Sequence, residues 1–92
     1  MARIPTNETV NGQKIRCYGN NGQTLDCYTV VYMGEPESKP GTFACACMNS
    51  APFHPQGIGM HAAALPGRHL GRRIRFEDLP EDCRRLVRQD LS

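Results

Sequence analysis

Residues 24–33, TLDCYTVVYM, alternate two sets of side chains, and this pattern restricts the fold more than any other in the chain. One side of the extended segment carries Leu25, Cys27, Thr29, Val31 and Met33, and the other carries Asp26, Tyr28, Val30 and Tyr32. Alternation with β-branched and aromatic residues is typical of a β-strand. Residues 13–18 alternate in the same way, and the GNNG turn at 19–22 between the two segments predicts an antiparallel hairpin.

Two later segments also predict strands. Residues 42–48 alternate again after a loop rich in proline and glycine. Residues 72–76 form a short candidate strand, with Ile74 and Phe76 turned inward and two arginines turned outward. The prolines and glycines of residues 49–68 predict that no long regular element forms there.

The C-terminal residues 80–91 predict the one helix. Apolar residues recur at spacings of three and four, namely Leu79, Cys83, Leu86, Val87 and Leu91. Pro80 suits the first turn of a helix, where no backbone N–H is needed, and Glu81 is placed to pair with Arg85. The apolar stripe of such a helix must be buried, and a face of the predicted sheet can bury it.

These elements predict an α+β fold: a small three- to four-stranded antiparallel sheet with one C-terminal helix packed on a face. The 92 residues are short enough for a single domain over 1–92, with residues 1–12 as a loosely ordered lead. The five cysteines are an odd number, which disfavours a closed disulfide framework and favours buried thiols. No apolar run is long enough to cross a membrane, so we expect a soluble, cytoplasmic protein.

The charge of the chain is unevenly distributed. The net charge is only +2, yet no acidic residue occurs between Ser38 and Phe76. That stretch carries five basic residues, Lys39, Arg68, Arg72, Arg73 and Arg75. The planar guanidinium fork of arginine suits phosphate and carboxylate groups, so the stretch predicts a surface for an anionic partner. The alternative is a charged face that only keeps the protein soluble.

The candidate partner-binding residues are all basic: Arg68, Arg72, Arg73, Arg75, Arg84, Arg85, Arg88, Lys14 and Arg16. If residues 72–76 join the sheet, four of these, Lys14, Arg16, Arg73 and Arg75, share its outer face with Tyr28 and Tyr32. Basic groups for phosphates and rings for stacking are what a single-stranded nucleic acid surface needs.

Metal binding and catalysis are weaker alternatives. Soft ligands occur at Cys45, Cys47, His54 and His61, but the spacing lacks the paired C-x2-C knuckles of structural zinc sites. The acid-free middle of the chain supplies no carboxylate to orient a catalytic histidine, so we expect no catalytic residue and no cofactor. The segment PFHPQGIG at 52–59 predicts a rigid loop that pins Phe53 and Ile58 into a small core.

Four segments resemble a group of small proteins encoded by phages and mobile elements. They are YTVV at 28–31, PFHPQG at 52–57, HLGRRI at 69–74 and LPEDCRRLV at 79–87. The resemblance covers about two thirds of the chain, residues 28–91. Most of that group has no assigned activity. The loop before HLG is short here, so no function that depends on that loop is carried over.

Size and layout also resemble the phage-encoded anti-CRISPR proteins of the type I-F class. That resemblance implies a stoichiometric inhibitor, located in the cytoplasm of an infected bacterial host. It would bind subunits of the crRNA-guided surveillance complex, with its crRNA as a further contact, and block hybridisation of target DNA. It implies no membrane, no cofactor and no small-molecule substrate. The alternative is a free-standing nucleic-acid-binding or regulatory module of a mobile element, and a small metal-binding protein is the third hypothesis.

Overall fold

An antiparallel sheet is built around the first predicted hairpin in the computed structural model, which describes residues 7–22, 27–34 and 39–92. Its strands are β1 (Glu8–Val10), β2 (Gln13–Gly19), β3 (Tyr28–Tyr32), β4 (Phe43–Met48), β5 (Gly59–Ala64) and β6 (Arg72–Ile74). One helix, α1 (Glu81–Asp90), ends the chain, and two 3-10 turns, Arg68–Leu70 and Phe76–Asp78, flank β6. The predicted α+β class, antiparallel sheet and C-terminal helix are therefore confirmed.

The predicted number of strands is wrong, because the described residues alone form a sheet of six strands and not of three to four. The strands lie in the order β1-β2-β3-β4-β5, and β6 also pairs with β2. One edge of β2 is divided, since β1 pairs with its first residues, up to Ile15, and β6 pairs with its last ones, from Cys17 to Gly19. The other edge of β2 pairs with β3 from Ile15 to Gly19.

The two unpredicted strands lie in segments that were expected to be irregular. β1 falls within the predicted loose lead and turns back onto β2 through Asn11 and Gly12, both at positive φ. β5 falls within the stretch where proline and glycine predicted no long element, and it is six residues long. β5 has neither β-branched nor aromatic residues, so its strand conformation follows from pairing with β4 and not from local propensity.

The turn between β2 and β3 has asparagine and glycine at positive φ, as predicted. Asn21 and Gly22 have φ angles of 58° and 77°, in the left-handed region that asparagine and glycine tolerate. Residues 24–26 of the predicted second strand lie outside the described residues, and β3 begins at Tyr28.

The main core lies between one face of the sheet and α1. The sheet contributes the buried residues Ile15, Cys17, Val30, Ala46 and Met48, and the C-terminal segment contributes Leu79, Cys83, Leu86 and Val87. The predicted apolar stripe of the helix is thus the stripe that packs on the sheet. The predicted Glu81–Arg85 pair is wrong, because Arg85 Nη2 lies 3.3 Å from Asp82 Oδ1, one residue further along the helix.

The sheet face away from α1 is also covered. Tyr18, Val31 and Cys45 form a second buried cluster on that face, and Leu70 packs against them. Alternation along β2 and β3 sends successive side chains to opposite faces, so both sets of alternating residues reach a core. The sheet is therefore buried on both sides near its centre, by α1 on one side and by the segment that carries Leu70 on the other.

Two buried thiols in the main core make the fold sensitive to alkali. Burial, followed by the charge of Glu8, raises the pKa of Cys17 from 9.0 to about 12. Burial, followed by the charge of Asp82, raises the pKa of Cys83 from 9.0 to about 11. In the folded protein both thiols stay protonated at pH values at which an unfolded chain has already released these protons.

The free energy of unfolding is therefore expected to fall as the pH rises from 9 towards 11. Each buried thiol makes its full contribution to stability below pH 9. Above pH 9 that contribution declines by about 1.4 kcal/mol per pH unit, until the pH reaches the pKa of the folded state. Urea unfolding under reducing conditions at a series of pH values measures this slope. Cys17→Ala should reduce the slope by about 1.4 kcal/mol per pH unit, and an unchanged slope would contradict the burial of this thiol.

Candidate anion-binding surface

The segment between β5 and β6 crosses the sheet face that lacks a helix. Leu70 in the first 3-10 turn packs on the cluster of Tyr18, Val31 and Cys45 and holds the segment against the sheet. Gly71 follows at φ 116°, and the chain then enters β6, where Arg73 pairs with Tyr18. Arg72 pairs with Gly19 and Arg73 pairs with Tyr18, so the two arginines leave β6 on opposite faces at the edge of the sheet.

Three of the predicted arginines surround one cavity of about 480 Å³. Its lining residues are Tyr18, Gly67, Arg68, Gly71, Arg72 and Arg73, with no acidic residue among them. Arg68 and Arg72 are exposed, while Arg73 is half-buried with its guanidinium carbon 5.6 Å from the centre of the Tyr18 ring. The Tyr18 side chain is almost fully buried, so it supports Arg73 and does not offer a free stacking face.

Acidic groups limit this positive surface on one side. A second depression adjoins the cavity at Arg72 and includes Asp78 among its lining residues. Arg75 lies beyond β6, and its Nη1 atom is 4.0 Å from Glu77 Oε1. The structure therefore separates Arg75 from the three arginines that share the cavity, although the sequence grouped all four.

The predicted grouping of basic residues with Tyr28 and Tyr32 is wrong. Ile15 pairs with Tyr32 and Cys17 pairs with Val30, and directly opposite residues project to the same face of a sheet. The two tyrosines thus project to the face that α1 covers and pack against the main core. By the same alternation, Lys14, Arg16 and Tyr18 project to the other face, where Arg16 Nε donates a hydrogen bond to Asn7 Oδ1 at 2.7 Å.

The helix arginines belong to the opposite layer of the molecule. Arg85 lies over the Phe53 ring at 4.4 Å, and Arg88 lies over the Phe76 ring at 5.3 Å. The Nε atom of Arg84 is buried and has no hydrogen-bond partner among the described residues. Arg85 and Arg88 thus make contacts within the fold, and none of the three helix arginines lines the cavity.

The loop at 52–59 is closed at its base by a side chain that the sequence did not indicate. Asn49 Oδ1 accepts hydrogen bonds from the backbone N–H groups of Ala51 and Ile58, each at 3.1 Å, and so closes the loop at its base. The prediction that Phe53 enters a core is wrong, because Phe53 is 42% exposed and lies beneath Arg85. His54 Nδ1 accepts a hydrogen bond from the Gln56 N–H at 3.1 Å.

The candidate zinc ligands are not brought together. Cys45 and Cys47 are neighbours, with their sulfur atoms 3.9 Å apart, but His61 pairs with Ala46 and so projects to the opposite face. Across residues 7–22, 27–34 and 39–92, no group of three or more His, Cys, Asp or Glu side chains has the proximity to hold a metal ion.

A polar cluster that sequence analysis missed ties the end of α1 to the sheet. Asp90 Oδ2 accepts a hydrogen bond from the Tyr32 hydroxyl at 2.5 Å and lies 2.7 Å from His61 Nε2. Burial, followed by the hydrogen bond to Asp90, raises the pKa of Tyr32 well above its usual value. The three residues are far apart in sequence and have no shared motif, so only the packing of α1 on β3 and β5 reveals them.

The fold and the cavity define a small α+β protein with an arginine-lined surface and a helix-covered sheet. Comparison with protein-family models, with curated proteins and with solved structures finds no match for the chain. No helix in the described part of the chain has the length and apolar character needed to span a membrane.

Proposed function

We propose that the protein acts by binding, and that its cavity of Arg68, Arg72 and Arg73 receives phosphate groups of a nucleic acid. The observation that carries this proposal is that Arg68, Arg72 and Arg73 all line one cavity that has no acidic lining residue. Arginine binds phosphate through two parallel N–H donors, and such charge-assisted hydrogen bonds are stronger than those between neutral groups. A cavity of about 480 Å³ has room for a nucleotide-sized group.

The arrangement favours local phosphate contact over recognition along an extended groove. The buried Tyr18 ring offers no free face for a base, and the aromatic residues Tyr28 and Tyr32 lie on the other side of the sheet. Affinity would therefore come mainly from the arginines and the phosphates, with few contacts to the bases. Such a surface suits a protein that occupies a nucleic acid or ribonucleoprotein without reading its sequence.

Within this class, we propose as partner the crRNA-guided surveillance complex of a type I-F CRISPR system. The protein would act as a stoichiometric inhibitor that contacts the crRNA or adjoining subunits and prevents target DNA from hybridising. Support for this partner comes from the resemblance in size and layout, and the arginine cavity is compatible with a phosphate-bearing complex.

A pull-down with purified type I-F complex, followed by a target-DNA binding assay, tests the inhibitor hypothesis. We expect the protein to co-purify with the complex and to reduce DNA capture as it approaches one equivalent. The complex without added protein and the complex with the Arg72→Glu variant are the controls. Normal DNA capture at saturating protein would show that the protein is not an inhibitor of this complex.

A free-standing nucleic-acid-binding module is the second candidate. The observation that favours it is that three arginines and no acidic residue line the cavity, a lining that suits the phosphates of any single-stranded nucleic acid. Affinity for single-stranded RNA or DNA should then be measurable at low salt and decline steeply as salt is added. The absence of any affinity at low salt would eliminate this candidate.

A further inference from the structure

We infer that β5 is a self-pairing edge, through which two copies of this chain form an antiparallel dimer with one continuous sheet. β5 ends the strand order, and no strand lies beyond it in the described part of the molecule. Five of its six residues are exposed. The opposite edge of the sheet is divided between β1 and β6, each three residues long, so β5 is the longer of the two edges.

The composition of β5 leaves this edge unprotected. Its residues, GMHAAA, include no Asp, Glu, Lys, Arg or Pro. Proteins commonly use charges, prolines or bulges to keep an exposed strand from pairing with another chain, and an apolar edge without them is a template for such pairing. Met60, within the strand, is 55% exposed, and Leu65, the residue that follows the end of the strand, is 51% exposed.

The backbone groups available for pairing follow from the ladder with β4. The Asn49 N–H donates to the Ile58 carbonyl at 3.0 Å, so residue 58 directs its carbonyl towards β4. Successive residues of an antiparallel strand alternate between bonding inward and bonding outward. Residues 60, 62 and 64 therefore bond to β4, and Gly59, His61 and Ala63 direct their N–H and C=O groups away from the sheet.

One two-fold register uses all of these outward groups. Gly59 lies opposite Ala63 of the second copy, and His61 lies opposite His61 of the second copy. On the other face, Met60 then lies against Ala62 of the second copy, so a large side chain packs beside a small one at both symmetry-related positions. The same patch on two copies is complementary to itself, as a two-fold interface requires.

The side chains of the strand itself place no charge in the way of a second copy. The strand carries no acidic, lysine or arginine side chain, so two copies meet without a pair of like charges from those residue types. His61 Nε2 of each copy lies 2.7 Å from the Asp90 carboxylate of its own chain, so this contact does not need the second copy. The arginine cavity includes residues of β6 at the far edge of the sheet, and dimerisation through β5 leaves it open.

The dimer is expected to be weak. A contact built on one six-residue strand falls at the small end of protein interfaces, below about 1,200 Å², where dissociation constants in the micromolar range and above are usual. Analytical ultracentrifugation of the unmodified chain from about 10 μM to about 1 mM covers this range. A mass that rises from one chain towards two over that range is the expected result.

Ala63→Pro tests the edge directly. Proline removes an outward N–H that the single chain does not use, and edge strands accept proline at such positions. Two N–H donors are lost per dimer, so we expect the dissociation constant to rise about tenfold or more. Ala63→Ser, which keeps the N–H, is the matched control and should dimerise like the unmodified chain.

Met60→Lys is a second test that does not depend on proline. The side chain is exposed in the single chain, so lysine leaves the fold intact but places a charge against Ala62 of the second copy. We expect this variant to remain a monomer, with an unchanged circular dichroism spectrum. A monomeric unmodified chain at about 1 mM, or dimers that persist in both variants, would overturn the inference.

Discussion

Gly71→Ala is expected to lower the free energy of unfolding by about 3–5 kcal/mol. Gly71 has a φ of 116° and a ψ of −163°, in a backbone region that is essentially restricted to glycine. A Cβ atom at this position would lie 2.5 Å from the Gly19 carbonyl oxygen and 2.9 Å from the Asn20 nitrogen. Both neighbours are backbone atoms of the β2 end, so neither relaxes by a change of side-chain rotamer.

The consequences extend from stability to the candidate site. Gly71 joins the 3-10 turn that carries Arg68 to the strand that carries Arg72 and Arg73. A shift that relieves the clash with Gly19 must move β6 away from β2 and widen the cavity. The midpoint of thermal unfolding should fall by roughly 15–30 °C, which calorimetry or circular dichroism measures.

Gly12→Ala is the matched control for this variant. Gly12 also has a positive φ, of 82°, but no atom lies within 4 Å of an added Cβ. Its substitution should cost only the backbone strain, about 1 kcal/mol. If both variants lost the same stability, the close approach of Gly71 to β2 would be refuted.

Periodic segments were predictable from the sequence because each has a local pattern with a defined geometry. Residues 13–18 and 42–48 alternate at period two, and the stripe from Leu79 to Leu91 repeats at three and four, so their strands and helix follow from spacing. β5 has no such pattern. Its alanines and Gly59 form a strand only because the edge of β4 pairs with them. A local sequence pattern does not contain this pairing with a separate segment.

The site was predictable in composition but not in arrangement. The acid-free run of basic residues indicated an anionic partner, and three of its arginines do line one cavity. The division of the nine candidates between two layers depends on the strand register and on the conformation at Gly71, and neither is readable from spacing. The error over Tyr28 and Tyr32 has the same cause, because the expected pattern did not fix which alternating set of β3 meets the helix.

Charge reversal of the exposed cavity arginines should abolish most of the affinity for a phosphate-bearing partner. Arg68→Glu with Arg72→Glu replaces two charge-assisted hydrogen bonds by repulsion, and each such bond contributes about 1.5–3 kcal/mol. Affinity for the surveillance complex, or for single-stranded RNA, should fall by at least about a hundredfold. Arg73 is kept, because its contact with Tyr18 supports the fold as well as the cavity.

The helix arginines provide a control of equal charge. Arg85→Glu with Arg88→Glu makes the same change in net charge on the opposite layer, away from the cavity. If only the total positive charge mattered, both double variants would lose the same affinity. If phosphate binds in the cavity, the Arg68/Arg72 variant loses far more affinity than the Arg85/Arg88 variant. In a salt titration with single-stranded RNA, that variant should also show a shallower slope of log K against log salt, by about 1.4 for two lost phosphate contacts. Equal affinities and slopes for the two double variants would move the interface out of the cavity, and a larger loss in the Arg85/Arg88 variant would place it on α1.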